Sequence, residues 1–332
     1  MMVRESRGLR NYLLRVKNPL WMGVIIGCML YIVLFQSSES DFWQHYQAAN
    51  QILRHTPVQD YNYPAATAML FVPLAGLPAP VARWTWQGLN YVLFGFAFYF
   101  LPPTRRNVFA WLAWFPIFIS VAAGQLDCLV LLGLGLGWMF YSRRRDLVAG
   151  AVLALSLVKF HLVIPILFLV LLVGRRRWLI SFLPLAFLFG IVSVLIPQTY
   201  PDRAAFLLNW YVQNERGIGI LARLVWLPQE GWLLVAIGLG VAWILLALWN
   251  RRLALFALPL VYPYALTYDL PLFAPVLATS QWVGVFYILL GITGLWGDRV
   301  FWVTEALGLI FVIESTNYLR RRDEVVETQC PQ

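Results

Sequence analysis

The sequence predicts an all-α protein that crosses a membrane many times, and three observations carry that prediction. Hydrophobic residues make up 61% of the chain and charged residues 12%, where a soluble domain is about a quarter charged. Mean hydropathy is +0.69. So much apolar side chain cannot be hidden in a water-facing fold, and lipid must be most of its solvent. The third observation is where the charge sits. Lys and Arg stand in clusters between apolar runs: 4–17, Arg105-Arg106, Arg143 to Arg145, Arg175 to Arg177, Arg251-Arg252 and Arg320 to Arg322.

Cytoplasmic loops of membrane proteins are rich in Lys and Arg, so all six clusters are assigned to that side. Of the 25 basic residues, only Arg54, Arg83, Lys159, Arg203, Arg216, Arg223 and Arg299 fall elsewhere. The net charge of +9 therefore reads as an insertion signal, and nucleic acid is not expected as a partner. Residues 1–19 form a cytoplasmic segment, 20–318 a single membrane domain and 319–332 a cytoplasmic tail. About twelve transmembrane or hairpin helices connect the clusters with the required parity.

Span 1 covers about 20–36 and leads into an external loop, about 37–78. Within it "SDFWQHYQAANQIL" has Phe42, Tyr46, Ala49 and Leu53 on one stripe, an external juxtamembrane amphipathic helix entered at Asp41. "TPVQDYNYP" breaks it. "AATAMLFVPLAGLPAP", punctuated by Pro73, Pro78 and Pro80, is too short and broken to span, and fits a re-entrant or juxtamembrane element. Span 2 covers about 79–101. Spans 3 and 4, about 108–123 and 126–141, turn at "GQLD".

The run 147–173 is 27 residues long, roughly 40 Å as one helix against a hydrocarbon core of about 30 Å. A single crossing would also put one arginine cluster on the wrong side. Splitting the run at Lys159-Phe160-His161 restores the parity and gives spans 5 and 6. It also sinks a lysine and a non-helical tip below the surface, which requires surrounding protein or a wet cavity open to the outside. Span 7 (about 179–197) leads to a second external loop, about 198–229, and span 8 (about 231–250) returns. Spans 9 and 10 turn at "TYD", and spans 11 and 12 at "GDR".

Several residues have two readings at this point. Asp41 is either a helix cap or a catalytic carboxylate, and Asp127 and Asp269 either cap the helices that follow them or line a site. Lys159 either has a buried partner or pathway, or reaches the interface. His45 and His55 read as interfacial. No histidine has metal-ligand spacing to a second and third donor, so neither metal nor other cofactor is expected. Cys28, Cys128 and Cys330 are too scattered for a disulfide framework.

The ordered series narrows these readings. "SDFWQHYQAANQIL", "YNYPAATAMLFVPLAGLPAPVARWTWQGLN", "GQLDCLVLLGLGLG", "RRRDLVAGAVLALSLVKFHLVIPILFLVLLVGRRRW" and "NERGIGILARL" follow one another in register over about 37–230. "YPYALTYDLPLFAPVL" is a weaker echo. The series resembles glycosyltransferase family 87, polyprenyl-phosphate-mannose-dependent mannosyltransferases of the GT-C fold class. The resemblance implies a multi-pass plasma (inner) membrane enzyme. It would pass a sugar from a polyprenyl-phosphate donor to a lipid or glycan acceptor, with inversion, at the extracytoplasmic face. It implies Asp41 as general base, Lys159 at the family's lysine, and Tyr63, Gln125, Asp127, His161, Asn214 and Asp269 as substrate-binding residues. An anionic leaving group, the donor phosphate, also needs fixed cations, and Lys159, Arg216, Arg223 and Arg83 all face outward on the charge map. The chain departs from the family where Tyr-Pro-Pro becomes Tyr63-Pro64-Ala65, Lys-Pro becomes Lys159-Phe160, and Asn-Gln-Ser becomes Asn214-Glu215-Arg216. The competing readings are a lipid or small-molecule transporter or flippase, and a catalytically inactive membrane scaffold. A transporter would typically carry broken helices at matching places in two repeated halves; the external loops share no such pattern.

Overall fold

The computed structural model describes residues 26–27, 41–102, 104–105, 108–172, 175–199, 229–250, 254 and 272. Those residues are mostly helical, with one isolated bridge between Val58 and Gln198 and no strand among them. Most of span 1, the second external loop beyond 199 and the four spans expected after 250 lie outside the described residues.

The elements are α1 (Asp41–Leu53), α2 (Ala65–Ala68), a 3-10 turn (Met69–Phe71) and α3 (Val72–Ala75), then α4 (Ala79–Phe100), α5 (Val108–Leu112) and α6 (Phe115–Ala123). There follow α7 (Asp127–Ser142), α8 (Asp146–Leu153), a 3-10 helix (Ala154–Lys159), α9 (Phe160–Leu172), α10 (Leu179–Leu195) and α11 (Gln229–Trp249). Prolines set several boundaries. Pro64 and Pro78 stand immediately before α2 and α4, and Pro116 lies in the first turn of α6, where a missing N–H is not needed. Pro116 also separates α6 from α5, so the expected third span is two pieces.

Among the described residues no single helix is long and apolar enough to cross a membrane, but two bent pairs are. Ala65–Ala75 meets Ala79–Phe100 at 114°, and Pro116–Ala123 meets Asp127–Ser142 at 119°. The first bend falls at Pro78 between the proline-punctuated stretch and span 2, and the second is the "GQLD" turn.

Contacts fix the direction of each helix. Trp86 and Asn90 of α4 bond to the carbonyls of Gly124 and Gln125, while Ala97 and Leu101 pack on Gly135 of α7. Both helices therefore run from the 124–127 end to the 142 end. α8 and its 3-10 extension run back along α7. Leu153 sits on Gly137, Ser156 on Gly133, and Lys159 reaches Asp127. Arg175 then lies against Tyr141 and Asp146, so the chain between Lys159 and Arg175 returns the length of α7, roughly 21 Å. The 146–175 run is an out-and-back hairpin, as the parity requires. Its tip, however, stays helical: the 3-10 helix passes directly into α9, so backbone bonds are kept where an open loop was expected. α10 begins beside Leu147 (Ser181 Oγ to its carbonyl, 2.5 Å) and ends at Val58, whose N–H donates to the Pro197 carbonyl at 2.8 Å.

Two ends result. One gathers Asp41, Tyr63, Gln125, Asp127 and Lys159; the other gathers Arg105, Arg143 to Arg145 and Arg175 to Arg177. A core of Phe42, Phe71, Trp86, Phe94, Trp111 and Leu131 joins them. Ile180, Leu183, Phe187 and Val194 of α10 and Leu245, Leu248 and Trp249 of α11 are exposed. Each such side chain left in water forgoes about 1.5–3 kcal/mol.

Candidate active site

α1 carries Asp41 on its first turn, where a carboxylate suits the helix dipole. Its buried face is Phe42, His45, Ala48 and Ala49, while Leu53 is exposed. The expected 42/46/49/53 stripe is thus shifted toward His45 and Ala48; Tyr46 is half-buried against Phe42 and donates its hydroxyl to the Leu77 carbonyl (2.8 Å).

Asp41 Oδ2 accepts hydrogen bonds from the Tyr63 hydroxyl, at 3.1 Å, and from the Gln125 side-chain amide. Tyr63 Oη lies 3.4 Å from Gln125 Oε1, so the three side chains close a triangle drawn from three separate segments. Gln125 is held by a tight turn. Gly124 ends α6 in the left-handed conformation (φ 73°), and the Gln125 N–H donates to the Ser120 carbonyl (2.9 Å). Trp86 Nε1 donates to the Gly124 carbonyl at 3.0 Å, and Asn90 Nδ2 to the Gln125 carbonyl at 2.8 Å. A Cβ at Gly124 would stand 2.5 Å from Phe42 Cβ. Only glycine lets α1 seat its second residue on this turn, and that seat brings Asp41 to Gln125.

Behind the turn, Lys159 Nζ pairs with Asp127 Oδ1 at 2.8 Å, and Ser120 Oγ donates to Asp127 Oδ2 at 3.0 Å. The two ionic side chains are 2% and 0% exposed. The expectation of a wet, open cavity around Lys159 is therefore corrected: the cation is buried and faces a carboxylate of its own chain. That carboxylate is Asp127.

His45 is corrected as well. It is fully buried rather than interfacial. Its Nδ1 is hydrogen-bonded to the Tyr61 hydroxyl at 2.8 Å, its ring stacks on Phe71 (4.6 Å between centroids), and it also meets the tilted Tyr63 ring at 4.7 Å. Burial, helped by the nearby Lys159 charge, lowers its pKa to about 3, so the imidazole is neutral at any working pH. Burial, then the Asp41 charge, raises the Tyr61 phenol well above its usual value and keeps it an O–H. His55 is exposed in a left-handed turn (φ 54°).

Sequence reasoning gave no role to Ser120, Asn90 or Gln198, read His45 as interfacial, and read Tyr61 as a residue that stacks on a sugar or anchors at the interface. Gln198 Nε2 donates to the carbonyls of Tyr61 (2.7 Å) and Tyr63 (3.3 Å). The i, i+4 spacing of Asp41 and His45 was the available signal. His161 lies in the first turn of α9; Asn214, Arg216, Arg223 and Asp269 lie outside the described residues. No group of three or more His, Cys, Asp or Glu that could hold a metal ion occurs among the described residues.

The model of glycosyltransferase family 87 matches residues 61–262, more than half of the chain. The chain belongs to that family. No curated protein and no solved structure matches it. Membership in glycosyltransferase family 87 implies an enzyme that moves a sugar from a donor to an acceptor. Tyr63, Gln125, Asp127, Lys159, His161, Asn214, Arg216 and Arg223 fall inside the matched residues, whereas Asp41 precedes them and Asp269 follows.

Proposed function

We propose that this family 87 member transfers a sugar, mannose by analogy with the family, from a polyprenyl-phosphate donor to a lipid or glycan acceptor. In this reading it is a GT-C protein of about twelve spans in the plasma (inner) membrane, working at the extracytoplasmic end. The observation that carries it is the Asp41 carboxylate, held by Tyr63 and Gln125 at the end of the helices opposite the arginine clusters.

Asp41 takes the proton of an acceptor hydroxyl as that oxygen attacks the anomeric carbon. The bond from that carbon to the phosphate oxygen breaks on the opposite face, and the polyprenyl phosphate leaves with the electron pair. The configuration is inverted. A base so positioned supplies roughly a hundred- to ten-thousandfold. The leaving phosphate needs fixed cations. Arg216 and Arg223 are the candidates for direct contact, since the Lys159 charge is already compensated by Asp127 and a phosphate would have to compete for it.

Asp41→Asn tests the reading. Asparagine keeps the size and caps a helix about as well, so unfolding should change by less than about 0.5 kcal/mol. Transfer from polyprenyl-phosphate mannose into a membrane lipid extract should fall at least about a hundredfold, with donor binding retained. Near-normal transfer by this variant ends the assignment of Asp41 as base.

A further inference from the structure

We propose that His45 is a positioning residue for Asp41: its hydrogen bond to the Tyr61 hydroxyl holds the Tyr61–Tyr63 segment so that the Tyr63 phenol stays on the Asp41 carboxylate. The proposal rests on the reading of Asp41 as the site's carboxylate but not on which substrates the enzyme takes.

The Tyr61–Tyr63 segment is gripped from two sides. Gln198 holds its backbone through the carbonyls of Tyr61 and Tyr63. His45 holds its side chains, one through the 2.8 Å hydrogen bond to the Tyr61 hydroxyl and the other through ring contact with Tyr63. The imidazole is itself fixed, because the Phe71 ring lies nearly parallel against it (16°) and Tyr61 meets its edge at 78°. His45 thus contacts both Phe71 and Tyr63 while bonded to Tyr61, with Asp41 one turn away on the same face of α1. A phenylalanine would fill the space, but it would leave the buried Tyr61 hydroxyl without its partner. A second cation would be disfavoured here by burial and by the Lys159 charge. Neutral imidazole satisfies both demands, which explains a histidine inside an apolar cluster.

Tyr63 donates to Asp41 only while its ring is held, and a donor to a carboxylate lowers the pH at which the carboxylate takes a proton. The test follows that midpoint by infrared difference spectroscopy on the full chain in lipid nanodiscs, with Asp41→Asn identifying the Asp41 band. Tyr63→Phe should move the midpoint upward by about half a pH unit or more. His45→Phe should move it in the same direction, and adding it to Tyr63→Phe should produce no further shift. His45→Asn, whose amide can replace Nδ1 as the partner of Tyr61, should restore most of the wild-type value.

A wild-type midpoint in His45→Phe alongside a shifted one in Tyr63→Phe overturns the proposal. So does an unshifted Tyr63→Phe. Should His45→Phe not fold, Tyr61→Phe removes the same hydrogen bond from the other side and must itself shift the midpoint. The midpoint requires no turnover, so near-normal transfer by Asp41→Asn would end the base assignment while leaving the placement of Tyr63 by His45 intact.

Discussion

The two ends of the α7–α8 pair each carry one carboxylate paired with one cation, and they are built differently. At the site end Asp127 and Lys159 are 2.8 Å apart with side-chain exposures of 0% and 2%, and Ser120 covers the second carboxylate oxygen. At the arginine end Asp146 and Arg175 are 3.0 Å apart with exposures of 9% and 29%. Arg175 Nη1 approaches Asp146 Oδ1 out of line for a hydrogen bond, so this contact is a through-space ion pair. Arg175 has other support, its guanidinium lying 4.1 Å over the Tyr141 ring and donating to the Tyr141 carbonyl. The difference separates a pair that must be complete from one that is merely favourable. A charge stranded in the interior costs far more than a half-wet pair contributes.

The largest effect expected from this contrast is at Lys159. Lys159→Met leaves Asp127 buried without its counterion and should cost about 3–5 kcal/mol in unfolding, seen as lost expression or a large drop in thermal stability in detergent. Replacing both partners, as Lys159→Met with Asp127→Leu, should recover most of that loss. A stable single variant that only binds donor more weakly would instead favour Lys159 as a donor-phosphate ligand.

Acid comes next, because the site end contains a buried neutral histidine. Unfolded, His45 takes a proton near pH 6.5; folded, it resists down to about 3. The unfolded state binds more protons in that window, so stability is complete above about pH 6.5 and is lost as pH falls. At about 1.4 kcal/mol per pH unit, going from pH 6.5 to 4.5 should cost about 2–3 kcal/mol. Thermal unfolding of His45→Asn should be flatter over the same range. An equal acid sensitivity in that variant would place the titration elsewhere.

How much of this was legible in the sequence follows from which signals are local. Clusters of arginine mark one end because each is read from its own stretch of chain, and parity alone required the 146–175 run to double back. Proline placement gave the bend before α4, whereas the break at Pro116 inside the expected third span was not read. Asp41, Tyr63 and Gln125 were named from the resemblance, yet their mutual contact depends on Gly124 approaching Phe42, a distance that no spacing encodes. His45 was misread because a polar residue on an amphipathic helix looks interfacial until its partners, Tyr61 and Phe71, are known. Lys159 was legible as a lysine in need of something; that its partner is Asp127 was not, since 32 residues separate them.

Two glycines sharpen the comparison further. A Cβ at Gly124 meets Phe42, and one at Gly150 meets the Trp178 carbonyl group and Ser181 Oγ. Each alanine substitution should cost roughly 1–3 kcal/mol by overpacking, and Gly124 adds about 1–2 kcal/mol for its left-handed backbone. Their effects on transfer should separate. Gly124→Ala displaces the residue beside Asp41 and should slow turnover at least about tenfold in protein that remains folded. Gly150→Ala, at the arginine end, should leave turnover per folded molecule near wild type.

The smallest expected effect is at Asp146. Asp146→Asn removes a charge that is partly screened by water, and Arg175 keeps its place on Tyr141 without it. Asn also retains a polar group in the first turn of α8, so little helix-end stabilisation is lost. The cost should be about 0.5–1 kcal/mol at low salt, with unchanged transfer. Because the pair is half open, salt should erase the difference. At about 1 M ionic strength, where the screening length is about 3 Å, wild type and Asp146→Asn should unfold at the same temperature. Asp127→Asn provides the contrast, since ions do not reach a fully buried pair and its larger penalty should persist at high salt. Equal salt sensitivity of the two variants would mean that the site end is as wet as the arginine end. The donor phosphate could then reach Lys159 after all.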